Sequence, residues 1–113
     1  MNADINRLEH MIDACERIIQ FTDVDYSIYE NSIEKQAAVA RYFEILGEAS
    51  GKISPEIKHR HPAVPWQVTT ALRNILIHDY VKVDYFELWK TAKEDIPQLQ
   101  LLVKNILQDI KVD

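Results

Sequence analysis

The stretch Asp4-Ile5-Asn6-Arg7-Leu8-Glu9-His10-Met11-Ile12-Asp13-Ala14-Cys15-Glu16-Arg17-Ile18-Ile19 (residues 4–19) decides the fold class. Its apolar residues Ile5, Leu8, Met11, Ile12, Cys15, Ile18 and Ile19 recur at spacings of three and four, the signature of one buried face on an amphipathic helix. The pattern predicts a helix from Ala3 to about Phe21, with Cys15 as a small buried hydrophobe on that face. A lone cysteine forms no internal disulfide, and it lacks the repeated Cys/His spacing of a zinc site.

Working outward, the same period returns and strand-like alternation does not. Thr22 to Ser27 is polar and reads as a loop. A second helix is expected from about Ser32 to Ile53, capped by Asn31 or Ser32, with Glu34 in its first turn. Its stripe reads Ile33, Ala37, Ala40, Phe43, Leu46, Gly47 and Ser50, small enough in places for a neighbouring helix to approach closely. Gly47 inside a helix costs on the order of 1 kcal/mol relative to alanine, so close packing is its purpose. Tyr29, Arg41, Tyr42, Glu44 and Glu48 lie off the stripe and read as a solvated face.

Ser54-Pro55-Glu56 has the order of cap, first helical residue and first-turn acid, so a short helix starts there and Pro62 ends it. Lys58-His59-Arg60-His61 then reads as a basic connector. Pro65 opens another helix that carries Trp66, Thr69, Leu72, Arg73 and Leu76 and ends near Tyr80. Asp84 and Glu87 have capping-box spacing for the next helix, whose apolar positions are Tyr85, Leu88, Trp89 and Ala92. Pro97 must kink or restart it, with Asp95 as cap. The last segment should bury Leu99, Leu102, Val103, Ile106 and Ile110.

These readings predict an all-α, up-and-down bundle of four to five main helices in a single domain spanning 1–113. Composition agrees: of 113 residues, 47% are hydrophobic and 27% charged, with only two glycines and four prolines. That is enough chain for one core, and too little turn chemistry for an all-β domain. No signal peptide or membrane-spanning run is evident, so a cytoplasmic protein is expected.

The net charge of −5 argues against coating a duplex, but it is unevenly placed. Residues 52–82 hold five bases (Lys52, Lys58, Arg60, Arg73, Lys82) against two acids (Glu56, Asp79), +3 locally, which leaves −8 for the rest. His59, His61 and His78 fall in the same segment. A basic site on an acidic body suits recognition of a phosphate, with Lys58, His59, Arg60 and Lys82 as candidates to attract RNA, beside the plainer reading of 58–61 as a solvated loop.

The chemistry concentrates in Arg73-Asn74-Ile75-Leu76-Ile77-His78-Asp79-Tyr80. Asn74 and His78 are four apart and share a helix face, and Arg73 is long enough to reach round to it. The set holds one group that exchanges protons near neutral pH, one permanent planar cation and one neutral amide. It suits metal-independent cleavage of RNA: a base for the 2′-hydroxyl proton, an acid for the leaving 5′-oxygen, a cation for the phosphorane charge. One imidazole cannot be acid and base at once, so two copies across the groove of a symmetric dimer would be needed. On chemistry alone, a structural alternative stands beside this, with Arg73 paired to Glu44 or Glu48 and His78 stabilised by a helix C-terminus. A metal site from His59, His61 and His78 is disfavoured, because no carboxylate cluster accompanies them.

Arg73-x4-His78 with a polar residue after the arginine resembles the motif of HEPN-superfamily ribonucleases, and Arg73-x4-His78-x-Tyr80 resembles the HepT toxin family. The likeness extends along the chain through Phe43–Ala49, Ile53-Ser54-Pro55-Glu56, His61-Pro62, Val64-Pro65-Trp66 and Leu72-Arg73-Asn74. It continues from Val83-Asp84 through Leu88-Trp89 to Asp95-Ile96-Pro97. The resemblance implies a HEPN-like homodimer with two motifs in a shared cleft, acting as a metal-independent RNA endonuclease toxin without cofactors. It further implies a type VII toxin–antitoxin pair with a MntA-type nucleotidyltransferase antitoxin, and room for a larger hetero-oligomer with it. That antitoxin would transfer AMP from ATP to Tyr80 and inhibit the toxin. Arg73 and His78 would be catalytic and Asn74 would position substrate. The competing reading is a non-catalytic HEPN module that binds a nucleotide or a nucleotidyltransferase partner.

Overall fold

The computed structural model describes residues 2–70 and 83–112. The described backbone is helical between short connections and contains no strand. In chain order it forms α1 (Asn2–Phe21), α2 (Tyr26–Glu30), α3 (Ile33–Gly51), α4 (Pro55–Arg60), α5 (the helical residues 66–70), α6 (Tyr85–Glu94) and α7 (Ile96–Val112). The all-α bundle expected from periodicity is the architecture of the described residues.

α1 is the central element. It packs chiefly on α3 and α7, and α6 closes against α7 and α3. Its predicted stripe is the buried one: Leu8, Met11, Cys15 and Ile18 are fully buried, and Ile12 and Ile19 lie half-buried against the core. Burial pushes the Cys15 thiol up from 9.0 to about 12, with Glu16 acting in the same direction, so it packs as a hydrophobe and not as a reactive thiol. Phe43 and Leu46 of α3 and Leu99, Val103 and Ile106 of α7 complete the same core. Leu102 and Ile110, expected to be buried, are half-buried at its margin.

The caps fall where the sequence puts them. The Ser32 side chain accepts from the Lys35 amide, Ser54 from Ile57, and Asp84 from both Phe86 and Glu87. α6 stops at Glu94 and α7 restarts at Ile96, because Pro97 has no N–H with which to continue the ladder. Asp95 between them accepts the Leu99 amide with its carbonyl, at 3.0 Å.

Four local expectations are corrected. The polar stretch after α1 ends sooner than expected: Thr22 is buried, closing α1 through its hydroxyl onto the Ile18 carbonyl at 2.8 Å, and Tyr26 and Ser27 already belong to α2. Tyr29, read as solvated, is fully buried, and its hydroxyl donates to the Tyr85 carbonyl at 2.8 Å. On α3 the buried row runs through Val39, Phe43, Leu46 and Ser50. Ile33 is 84% exposed and Ala37 is exposed, because they sit on a face rotated away from α1. Finally, Lys58, His59 and Arg60 are the last turn of α4, where the helix dipole favours their charge, and not a connector.

Candidate functional site

Arg73, Asn74, His78, Tyr80 and Lys82 lie outside the described residues. Of the expected site residues the structure describes Lys58, His59 and Arg60, on the basic end of α4, from which the chain makes its approach to α5 through the turn over 61–65.

Local chemistry holds this approach in place. α4 is anchored at its start, where the Ser54 amide donates to an Asp4 carboxylate oxygen of α1 at 2.9 Å. Ile57 and Ile53 are buried beneath it. The face of α4 that carries Lys58 and His59 is thereby set relative to the core. His61 follows as C-cap and supplies a carbonyl to two groups, the Val64 amide at 3.3 Å and the Trp66 indole N–H at 3.0 Å. Trp66 is buried and so is Val64, which pins the turn to the core. The Pro65 carbonyl then accepts both the amide and the hydroxyl of Thr69, at 3.0 and 2.9 Å. Gly51, at the end of α3, faces α5 closely: a Cβ there would meet Thr70 Cγ2 at 3.4 Å.

Between α4 and α5 this arrangement leaves an open groove of about 570 Å³. Its lining draws Lys58 and His59 from α4, Val64 and Pro65 from the turn, and Trp66 and Gln67 from α5. Among the described residues no acid lines it. Lys58 Nζ also donates to the Gly51 carbonyl, at 3.4 Å. Arg60 is not part of the lining and lies 3.8 Å from Glu56 across an exposed i,i+4 pair. Of the three described residues expected to attract RNA, the structure therefore brings two to one groove and turns the third toward an acid of its own helix.

A second cleft bordered by α5, about 300 Å³, has Glu94 and Asp95 on its rim, which disfavours a phosphate there. Of the two acids considered as structural partners for Arg73, Glu44 bonds Arg41 at 2.9 Å and Glu48 bonds Lys52 at 3.2 Å. Among the described residues no three His, Cys, Asp or Glu side chains gather as a metal-ligand set, and no helix is long and apolar enough to cross a membrane.

Sequence reading did not single out Gln67. Its signal was an amide on the first turn of a helix opened by Pro65, exposed beside a buried tryptophan.

The family model for HepT-like ribonucleases matches residues 11–106. The chain is 42% identical over 100 residues to MJ1380 of Methanocaldococcus jannaschii, named provisionally as an RNase, covering 88% of this chain and 92% of that one. It is 43% identical over 94 residues to the probable ribonuclease HepT of Thermococcus cleftensis, covering 82% and 86%. A third relative, TTE0752 of Caldanaerobacter subterraneus subsp. tengcongensis, also carries a provisional RNase name and is 34% identical over 105 residues, covering 92% and 94%. No solved structure matches significantly.

Proposed function

Because the chain belongs to the HepT-like ribonuclease family, we propose that it is a cytoplasmic, metal-independent RNA endonuclease, the toxin of a HepT/MntA-type pair. The observation that carries this is the family match over 11–106, which contains Arg73-x4-His78-x-Tyr80 intact.

His78 moves the proton at the 2′-hydroxyl or at the leaving 5′-oxygen, and Arg73 stabilises the negative charge that grows on the phosphorane. Asn74 positions the substrate. Each 113-residue domain supplies one such imidazole, so the acid and the base come from two protomers of a homodimer. Lys58, His59, Arg60 and Lys82 draw the RNA toward that cleft; for Lys58 and His59 the support is a groove with no acid among its described lining residues. Regulation follows from charge and bulk. An AMP group on Tyr80, placed by a MntA-type nucleotidyltransferase antitoxin, adds a phosphate that competes for Arg73 and a purine that fills the cleft.

The test is incubation of the purified protein with total RNA in EDTA, repeated after treatment with the antitoxin and ATP. Cleavage is expected in the first arm. In the second, it should vanish as mass spectrometry shows AMP on Tyr80. His78→Ala should abolish both cleavage and growth inhibition. Persistence of both would instead favour the non-catalytic binding module, and modified Tyr80 with full activity would overturn the regulatory reading.

A further inference from the structure

We propose that the groove between α4 and α5 is a nucleotide subsite for single-stranded RNA, with Lys58 and His59 holding a phosphate and Gln67 addressing the base against Val64, Pro65 and Trp66. The inference rests on the ribonuclease reading above and adds to it a place where substrate is gripped apart from the catalytic motif.

The two walls differ in chemistry in the way a nucleotide does. One wall carries a lysine ammonium and an exposed imidazole, both able to donate to phosphate oxygens. The lining that comes from the turn and the start of α5 is largely apolar, with exposed Pro65 between buried Val64 and Trp66 in the chain. A base presents a flat apolar face of the kind such a wall accepts. Gln67 is exposed at the edge of that wall, and its amide supplies both a donor and an acceptor, as a base edge requires. At about 570 Å³ the groove lies within the roughly 300–1,000 Å³ of small-ligand clefts. Charge complementarity selects the occupant. Among the described residues the lining has no acid, on a chain of net charge −5, whereas the neighbouring cleft is lined by Glu94 and Asp95.

The walls are rigid at the base and free at the tip. The indole N–H of Trp66 is committed to the His61 carbonyl, and Val64 is buried, so the apolar wall is preformed. His59 and Gln67 are exposed, so replacing them removes ligand contacts without opening the core.

The experiment uses the full chain. Fluorescence anisotropy with a labelled single-stranded RNA of about ten nucleotides is read in a His78→Ala background to prevent turnover. The same oligonucleotide with abasic positions is read beside it. Lys58→Ala/His59→Ala should weaken RNA binding about tenfold and flatten the salt dependence by about one unit or more of slope. Gln67→Ala should narrow the preference for the intact over the abasic strand, with little change in the salt slope. Lys104→Ala, an exposed cation on α7, should leave affinity within about twofold. Circular dichroism confirms that each variant is folded. Equal losses for Lys104→Ala and the double variant would mean diffuse charge only and would overturn the subsite. An unchanged intact-to-abasic ratio in Gln67→Ala would overturn the base contact. These failures are separable from failure of the enzyme reading, which is scored by cleavage with the His78-containing protein: normal cleavage with an unchanged KM in Lys58→Ala/His59→Ala would sink the groove alone.

Discussion

Two residues show how burial sets chemistry in this molecule. Cys15 and Tyr29 each carry a group that titrates in water and is held protonated by its surroundings. Desolvation is the main cause for both, and it raises the pKa of each. For Cys15 the ordinary value is 9.0 and the folded value about 12. Between those pH values the unfolded chain releases a proton that the folded chain keeps, so stability is fully present below about pH 9 and declines as pH rises toward 12. Denaturant unfolding from pH 8 to 10.5 should therefore show a steeper loss of stability for the wild type than for Cys15→Ala. Tyr26 and Tyr29 contribute the same sign in both proteins and cancel from the difference. Identical slopes would refute the assignment. The thiol's place on the α1 stripe was legible from spacing alone. The place of Tyr29 was not, because a tyrosine in a helix of five residues has no period to betray it. What buries it is remote in sequence: the Tyr85 carbonyl that accepts its hydroxyl, and the Trp89 ring whose centre lies 5.0 Å away.

At the scale of elements, the long helices were legible and the short ones only where a cap announced them. α1 and α7 carry stripes of several turns, and α4 and α6 begin at Ser54 and Asp84, whose side chains accept first-turn amides. Asp84 takes two, from Phe86 at 3.1 Å and Glu87 at 3.2 Å. Asp84→Ala should accordingly lower stability by about 1 kcal/mol in urea titration, while Asp84→Asn should retain most of it. A full loss in the Asn variant would point to charge and not to the cap. α2 has five residues and no side-chain cap bond, so neither signal exists for it. Tertiary contacts hold it: Tyr29 is buried, and the Tyr26 ring lies edge-on to Phe86 and Trp89 of α6. On α3 the phase of the stripe was misjudged in its first turns, since Ile33 and Ala37 look apolar in sequence yet nothing covers them enough to bury them. Which face of a helix is covered depends on the neighbour that lies against it, and here the covered row includes Val39.

At the scale of the whole molecule, one motif per chain sets a requirement on assembly. If acid and base are supplied by two protomers, activity per protomer should fall on dilution through the dimer dissociation range, in step with the dimer fraction seen by sedimentation. Constant specific activity in a strictly monomeric sample would contradict it. The amino-acid sequence by itself determined the helical class, most helix boundaries, the buried face of α1 and the family motif. All of these are local: they depend on spacings of three and four, on single cap residues, or on a contiguous string. Only the tertiary structure decided that Tyr29 is core, that Val39 marks the covered face of α3, and that Lys58 and His59 share a groove with Gln67. Each of those depends on which segment from elsewhere in the chain lies opposite, and spacing along one helix carries no record of that.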